Sequence, residues 1–282
     1  METGITVKKE YVYRKHLRVS YPKFLLAIVI AISFIAIGML PILFIGEEIG
    51  IISTIFLSST LITSIILIVI LSLEYLFLFK RFKAIKVTIS EDYIIYKNSD
   101  YEIVLPYEHI EAIKFPSIKY TGGWVKIVYN GGNIRLTVVL ENIGDFICEL
   151  KNKLDSIDKS DVYKEKKMFS FFKTASFSDE SWDRIYCNIK FMLGVLYVTT
   201  ILSVIISIIN QYYFGMFGVI APIIGLIISE IITMSKMKKR VEGNTFTLKP
   251  RDIEAENKRL RRWMLITSIM YIVAIGVAGA MF

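Results

Sequence analysis

The stretch FLLAIVIAISFIAIGMLPILFI, residues 24–45, decides the fold class of this chain. It carries no charged residue, and a helix needs roughly 20 apolar residues to cross the hydrocarbon core of a bilayer. A second run of the same kind covers residues 51–79 and is interrupted only by Glu74. Further apolar runs cover residues 189–209, 212–234 and 263–282. The pattern predicts five transmembrane helices.

Composition agrees with a membrane protein. Hydrophobic residues make up 54% of the chain, whereas soluble domains contain about 45–50%. The formal net charge of +8 would suit nucleic acid, but the basic residues crowd the ends of the apolar runs. Lipid headgroups are the expected partner for cations placed there. We therefore expect membrane lipids, and no nucleic acid, among the partners.

The few cysteine and histidine residues do not suggest bound groups. Cys148 and Cys187 have no C-x-x-C spacing, so reduced thiols are expected. His16 and His109 are too far apart in sequence to indicate a metal site. We expect no metal and no cofactor.

Basic clusters give the predicted spans an orientation. Lysine and arginine crowd the segment before the first run, the segment after the second, and the segment between the fourth and the fifth. The short loops at residues 46–50 and 210–213 carry none. Because lysine and arginine near span ends favour the cytoplasmic side, the sequence predicts a cytoplasmic N-terminus and an external C-terminus.

Residues 84–157 follow a different period. Short β-branched and aromatic runs alternate with turn residues, and residues 124–129 and 134–139 flank a glycine-rich turn, which predicts a hairpin. Asn142 is a candidate cap for an amphipathic helix that runs to about Ile157. The segment is predicted to form six or seven antiparallel strands followed by one helix.

This order of elements, with the segment LPYEHIEAI at residues 105–113, resembles a bacterial pleckstrin-homology-like (PH-like) domain. Residues 1 to about 157 are similar to the YcxB-like membrane proteins, which have a short N-terminal strand and helix (here 5–20), two spans and a cytoplasmic PH-like domain. The expected fold is an α+β membrane protein: a five-helix transmembrane bundle with an inserted cytoplasmic PH-like β-barrel or sandwich domain. The resemblance also implies a multi-pass protein of the bacterial cytoplasmic membrane.

The predicted organisation has seven parts. They are a cytoplasmic N-terminal segment (1–23), a transmembrane hairpin (24–79), the PH-like domain (84–157), an amphipathic linker (158–188), a second transmembrane hairpin (189–235), a basic cytoplasmic segment (236–262) and a fifth span (263–282). The linker mixes phenylalanines with lysines. It either lies on the anionic inner leaflet or packs its aromatic residues against the β domain.

Two sets of candidate site residues follow. Glu74 and Glu230 are the only acidic residues within the runs, which marks a possible intramembrane polar site. Each lies six residues before a lysine, or about 9 Å along a helix, so pairing with a neighbouring cation is an alternative to an ion pathway. Possible headgroup contacts are Lys114, Lys119 and Lys126. The module has eight basic and ten acidic residues, so a solvated face is the alternative.

The sequence carries none of the common nucleotide-binding, hydrolase or metalloprotease motifs, and we expect no enzymatic activity. The predicted function is a non-enzymatic integral membrane protein that presents a PH-like domain at the inner membrane face. Its role would be protein–protein interaction, regulation or scaffolding, with a protein partner or a homo-oligomer. A transporter or transporter subunit, and a lipid-sensing membrane protein, are the alternatives.

Overall fold

A computed structural model describes residues 9–44, 49–211, 217–241 and 245–281. The chain divides into two compact units. The α+β unit contains the described parts of Met1–Val19, Leu76–Asp183 and Met237–Pro250, and the helical unit contains those of Ser20–Tyr75, Arg184–Lys236 and Arg251–Phe282. Three separated segments of the chain therefore build the α+β unit.

The apolar runs form helices, because a helix satisfies its own backbone hydrogen bonds within the run. The helices are α1 (Tyr21–Phe44), α2 (Ile49–Glu74), α3 (Lys80–Ala84), α4 (Ile143–Ser156), α5 (Glu165–Ile209), α6 (Ile220–Arg240) and α7 (Ile253–Met281). A π-helical turn, Tyr75–Phe79, joins α2 to α3.

Four helical stretches are long and apolar enough to cross a membrane. They are Ile62–Ala84, Glu165–Ile209, Ile220–Arg240 and Ile253–Gly279. The first predicted run lies in α1 (Tyr21–Phe44), which is not among these four stretches, so a fifth crossing stays a prediction. The predicted loops at residues 46–50 and 210–213 lie partly outside the described residues.

Close packing of α6 against α7 depends on one glycine. A Cβ atom at Gly225 would lie 2.5 Å from both the Thr267 Oγ1 atom and the Trp263 carbonyl oxygen. Small residues permit such backbone approach between apolar helices, where dispersion contacts hold the pair together. Gly225 therefore fixes where these two helices of the helical unit meet.

The α+β unit contains two open antiparallel sheets. The first has the order β1-β2-β3-β4, and in the second β7 pairs with β5, β6 and β8. The strands are β1 (Lys9–Val12), β2 (Lys86–Ile89), β3 (Tyr93–Lys97), β4 (Glu102–Pro106), β5 (Ile110–Lys114), β6 (Ser117–Ile118), β7 (Gly122–Tyr129) and β8 (Gly132–Thr137). The predicted α+β class and the predicted hairpin of β7 and β8 are confirmed.

One hydrophobic core joins both sheets and α4. Alternate strand residues point to opposite faces, and in β2, β3, β7 and β8 the buried residues alternate with more exposed ones. Buried members include Val87, Ile94, Leu105, Val125, Ile127, Ile134 and Leu136 from the strands and Phe146, Leu150 and Leu154 from α4. The three- and four-residue spacing in α4 places its apolar side chains on one face, which closes the core.

The beginning of α5 completes this core. Phe169, Phe171 and Phe172 are buried in the same cluster, so the aromatic residues of the predicted linker pack against the strands. This packing is the second of the two arrangements predicted for the linker at residues 158–188, and its residues from Glu165 onward belong to a continuous helix, α5. The aromatic residues repeat at helical spacing, and the face they form is covered by the sheets.

The predicted barrel does not close within the described residues. On one side the sheets approach each other: the Glu141 amide donates to the Val12 carbonyl oxygen at 2.9 Å, and Tyr13 forms a bridge with Leu140. On the other side the pairing order ends at β4 in the first sheet and at β5 in the second. The unit is a pair of open sheets around one core, with a gap between β4 and β5.

The first turn of α4 is held by residues far away in sequence. Asn142 occupies the predicted N-cap position of α4, but it has a left-handed backbone with φ of 55° and its side chain makes no capping hydrogen bond. Instead the Gly144 amide donates to the Asp179 carboxylate at 3.2 Å. Arg14, whose side chain is buried, pairs with the other oxygen of Asp179. The β1 segment, α4 and α5 are thereby joined at one carboxylate.

Candidate functional site

A buried arginine organises three helices of the helical unit. Arg184 of α5 is 1% exposed. It donates two hydrogen bonds to Glu230 of α6, from Nε at 3.0 Å and from Nη2 at 2.7 Å. Its Nη1 atom donates to Glu256 of α7 at 2.9 Å. A guanidinium group held by two carboxylates is a strong charge-assisted arrangement, so Arg184 ties α5, α6 and α7 together.

An amide network continues from the arginine along α5 and α7. The Asn188 amide donates to the Asn257 side-chain oxygen at 2.8 Å, and Arg261 donates to the Asn188 side-chain oxygen at 2.7 Å. Every member lies in the helical unit. The network satisfies polar groups that would otherwise be buried without partners between apolar helices.

The two predicted glutamates have different surroundings. Glu230 belongs to the arginine cluster, and its cation comes from another helix instead of the lysine six residues later in its own. Glu74 is the last residue of α2, and its side chain is exposed. The observed pairing of Glu230 matches the ion-pair alternative for that residue, while an ion pathway through either glutamate stays a prediction.

Sequence reasoning missed Arg184 because it lies just before an apolar run, among charged linker residues. Its carboxylate partners are 46 and 72 residues away. An arginine at the boundary of one apolar run and an isolated glutamate in another are a weak signal for such pairing. Only the packing of the helices turns that signal into a site.

Two of the predicted headgroup lysines meet on the second sheet. Lys114 of β5 lies directly opposite Lys126 of β7, and Lys126 lies directly opposite Arg135 of β8. Side chains directly opposite each other share one face of a sheet. The three residues therefore form a row across the outer face, which we call the basic row (Lys114, Lys126 and Arg135). Arg135 was not among the predicted contacts.

An aromatic side chain accompanies the basic row. The Arg135 guanidinium lies over the Trp124 ring, 3.9 Å from its centroid, which is within the range of a cation–π interaction. Trp124 is partly buried and its strand neighbours Val125 and Ile127 face the core. The outer face of the second sheet thus presents cations beside an indole ring.

Lys119 is placed apart from the basic row. Its Nζ atom lies 5.5 Å from the centroid of the Tyr120 ring, and so does the Nζ atom of Lys238. Tyr120 has a left-handed backbone with φ of 61°, and its amide donates to Thr174 of α5 at 3.1 Å. The three predicted lysines therefore do not form one cluster.

The gap between the sheets forms a groove of about 730 Å³. Apolar side chains of Ile103, Leu105 and Val162 line it. Acidic residues around it are Glu108, Glu111 and Asp161. Lys159 also lines the groove, but its ammonium group donates to the backbone carbonyl oxygens of Glu108 and Ile110, so its charge is held at the wall. The groove combines an apolar lining with an acidic rim.

The segment between α6 and α7 also packs into the α+β unit. The Phe246 ring lies 5.3 Å from the Phe169 ring and 5.4 Å from the Phe172 ring, measured between centroids. The Cys148 thiol donates to the Phe246 carbonyl oxygen at 3.5 Å, and burial raises the pKa of this thiol to about 11. Arg240 holds Glu180 with two hydrogen bonds of 2.8 and 2.9 Å.

The described residues contain no group of three histidine, cysteine, aspartate or glutamate side chains arranged to hold a metal ion. His16 stacks on Trp182 with a centroid distance of 4.0 Å, and His109 lines the groove. The structure thus places His16 in a ring stack and leaves His109 exposed beside the groove.

Comparison with known proteins gives no assignment. No family model matches the chain. No curated protein and no solved structure matches it either. Function must therefore be argued from the groove, the basic row and the arginine cluster themselves.

Proposed function

We propose that this chain is a non-enzymatic, multi-pass protein of the bacterial cytoplasmic membrane that presents its α+β unit to a protein partner at the inner face. In this proposal the α+β unit is a PH-like domain, and five helices anchor it. The unit's two antiparallel sheets and following helix agree with the element order of that resemblance. The runs of the sequence supply the five spans.

The three separate chain segments that build the α+β unit support the proposed membrane topology. The three segments come from before α1, from the residues between α2 and the middle of α5, and from the end of α6 up to α7. A compact unit lies on one side of a membrane, so the chain must cross an even number of times between one segment and the next. Two crossings in each interval satisfy this requirement, and a crossing by α7 places the C-terminus outside. The basic clusters favour the cytoplasm for the three shared segments.

The observation that carries the interaction role is the open edge of β4. The Asn98 amide donates to Tyr101, and the Tyr107 amide donates to Asp92. Since hydrogen-bonded and non-hydrogen-bonded pairs alternate in an antiparallel ladder, the backbone groups of Ile103 and Leu105 point to β3. The amide and carbonyl of Val104 therefore point outward, away from β3.

This edge has the features of a strand-addition site. The Val104 side chain is 56% exposed, and the apolar groove with its acidic rim begins beside it. An extended segment pairs with such an edge through main-chain hydrogen bonds, and side-chain pockets add specificity. The acidic rim favours a segment that carries lysine or arginine. We therefore propose an extended basic segment of a partner protein, or of a second copy, as the ligand.

Site-specific photo-crosslinking tests this proposal. A benzoylphenylalanine group at Tyr101, which is 51% exposed beside the edge, should give protein adducts in intact membranes. Val104→Pro should abolish them, because proline removes the outward amide while leaving the bonds between β3 and β4 intact. Val104→Thr keeps that amide and should preserve the adducts. Peptide mapping by mass spectrometry should place them on an extended basic segment.

The outcomes are distinguishable. Adducts of twice the chain's mass would identify a second copy as the partner, and heavier or lighter adducts a different protein. Adducts that persist unchanged in Val104→Pro, or that map to a helix, would overturn the strand-addition proposal. Complete absence of protein adducts in membranes would overturn the interaction role at this edge.

A further inference from the structure

The basic row is an unfavourable arrangement for an isolated protein. Like charges directly opposite each other on a sheet repel and destabilise the pairing, and here the central Lys126 faces a cation on each side. Among the described residues, no carboxylate lies within ion-pair distance of Lys114, Lys126 or Arg135. The fold therefore concentrates three positive charges on one face without compensating them.

The first sheet provides the internal reference. Lys86 and Lys97 also lie directly opposite each other, but each has a carboxylate on the same face. Lys86 pairs with Glu10 at 2.8 Å and Lys97 with Glu102 at 3.2 Å. The same unit thus neutralises one cross-strand lysine pair and leaves the other uncompensated. A missing counter-charge on only one sheet indicates that it is supplied from outside.

We propose that the outer face of the second sheet, centred on Lys114, Lys126, Arg135 and Trp124, binds the anionic headgroups of a lipid surface. Adjacent strands lie about 4.8 Å apart, so the row offers several cations in one plane. Such an array suits a surface of many phosphates. Indole rings favour the headgroup level of membranes because they are amphipathic.

The chain's own architecture favours lipid over a soluble anion. The α+β unit is covalently continuous with helices long and apolar enough to cross a membrane, so it is tethered beside a bilayer. Tethering converts a weak encounter into one with a high effective concentration. The outer face of the second sheet is a different surface from the β4 edge, so lipid binding there is separate from binding of the proposed protein partner.

Trp124 supplies a local signal for the test. The chain has three tryptophans, so a full-length Trp182→Phe, Trp263→Phe background leaves Trp124 as the single reporter. This protein is placed in phosphatidylcholine nanodiscs, and phosphatidylglycerol is supplied either in the disc or as added vesicles. The neutral quencher acrylamide then measures access to the Trp124 ring. We expect phosphatidylglycerol, and not phosphatidylcholine, to reduce the quenching of Trp124, because the ring would then lie at the headgroup level.

Two double variants with the same change in charge separate the sheets. Lys114→Gln with Lys126→Gln removes two cations of the basic row and leaves the Arg135–Trp124 stack in place. Each cation beside an anionic leaflet strengthens binding about fivefold, so this variant should bind phosphatidylglycerol roughly 25-fold more weakly. Lys86→Gln with Lys97→Gln, on the first sheet, should leave the protection unchanged. Unaltered Trp124 emission without lipid verifies that both variants are folded.

Further arms of the experiment identify the source of the anion. Inorganic phosphate alone should give no protection at concentrations where phosphatidylglycerol protects fully. Equal protection by inorganic phosphate would overturn the lipid assignment in favour of a soluble ligand, and stronger protection by a single-stranded oligonucleotide would overturn it in favour of nucleic acid. No protection by phosphatidylglycerol in either arrangement, or equal loss in both double variants, would also overturn the proposal.

Discussion

The outer faces of the two sheets differ in how they treat their cations. On the first sheet Lys86 and Lys97 face each other across β2 and β3, and Glu10 and Glu102 neutralise them. On the second sheet the basic row has no such partners among the described residues. Both lysine pairs lie directly opposite each other in antiparallel strands, and the faces differ in the carboxylates beside them. It indicates that only the first face is optimised as a solvated surface.

The helical unit shows the compensated arrangement in its strongest form. Arg184 is buried between Glu230 and Glu256 with three hydrogen bonds, whereas Arg135 lies exposed over Trp124. One arginine holds helices together, and the other is left available. Both residues are arginines, so the surroundings of each guanidinium group decide which role it has.

The largest expected effect comes from removing the compensated arginine. Arg184→Met should destabilise the full chain by about 3–5 kcal/mol, because it removes the buried cation that the Glu230 and Glu256 carboxylates share. Arg135→Met, the same substitution on the second sheet, should change stability by less than about 1 kcal/mol. Thermal unfolding of both variants in neutral detergent gives the comparison.

A rescue variant checks the reason for that loss. Arg184→Met combined with Glu230→Gln and Glu256→Gln removes the stranded charges and should recover much of the lost stability. If the single and the triple variant unfold at the same temperature, the loss arises from packing of the arginine side chain. Equal losses in Arg184→Met and Arg135→Met would contradict the distinction between a compensated and an uncompensated cation.

How well the sequence predicts a feature depends on how far apart in the chain the residues that form it lie. Local periodicity predicts α4 and the hairpin of β7 and β8, since both arise from neighbouring residues. The same reasoning identified Lys114 and Lys126 as candidates but could not set the strand register that adds Arg135. Register depends on pairing between strands, and no local period encodes it.

Long-range contacts account for the other differences. The Asp179 carboxylate accepts the hydrogen bond from the first turn of α4 that was expected for the Asn142 side chain, because α5 packs across the start of α4. Phe246 packs against Phe169 and Phe172, which lie more than 70 residues earlier, and the charge and hydropathy around Phe246 do not reveal this contact. Glu230 was correctly singled out as unusual, but its partner Arg184 is set by helix packing. The sequence therefore marks unusual residues more readily than it marks their partners.

Smaller effects are expected from variants that give each sheet face the charge pattern of the other. Lys126→Glu places an anion between Lys114 and Arg135 and should stabilise the α+β unit by about 1 kcal/mol, since two repulsive pairs become attractive. Glu102→Lys does the reverse on the first sheet: it adds a third cation beside Lys97 and Lys86. It should destabilise the unit by about 1 kcal/mol. Urea unfolding of the full chain in phosphatidylcholine nanodiscs measures both changes.

The test depends on whether each variant gains or loses stability. Lys126→Glu should gain stability while losing the protection of Trp124 by phosphatidylglycerol. The two results together would show that the substitution impairs lipid binding without impairing the fold. Loss of stability in Lys126→Glu would show that the basic row is compensated within the protein. The comparison between the two sheets would then fail.

The smallest expected effect is the salt dependence of the stability gained by Lys126→Glu. Screening lengths fall from about 10 Å at 0.1 M salt to about 3 Å at 1 M, so repulsion along the exposed basic row should weaken. The stability gained by Lys126→Glu should therefore shrink to roughly half or less between these concentrations. The much larger loss in Arg184→Met should change little, because its charges are buried and screened far less. The same urea titrations, repeated at both salt concentrations, measure this. A gain in Lys126→Glu that is independent of salt would mean that packing, and not charge, distinguishes the two faces.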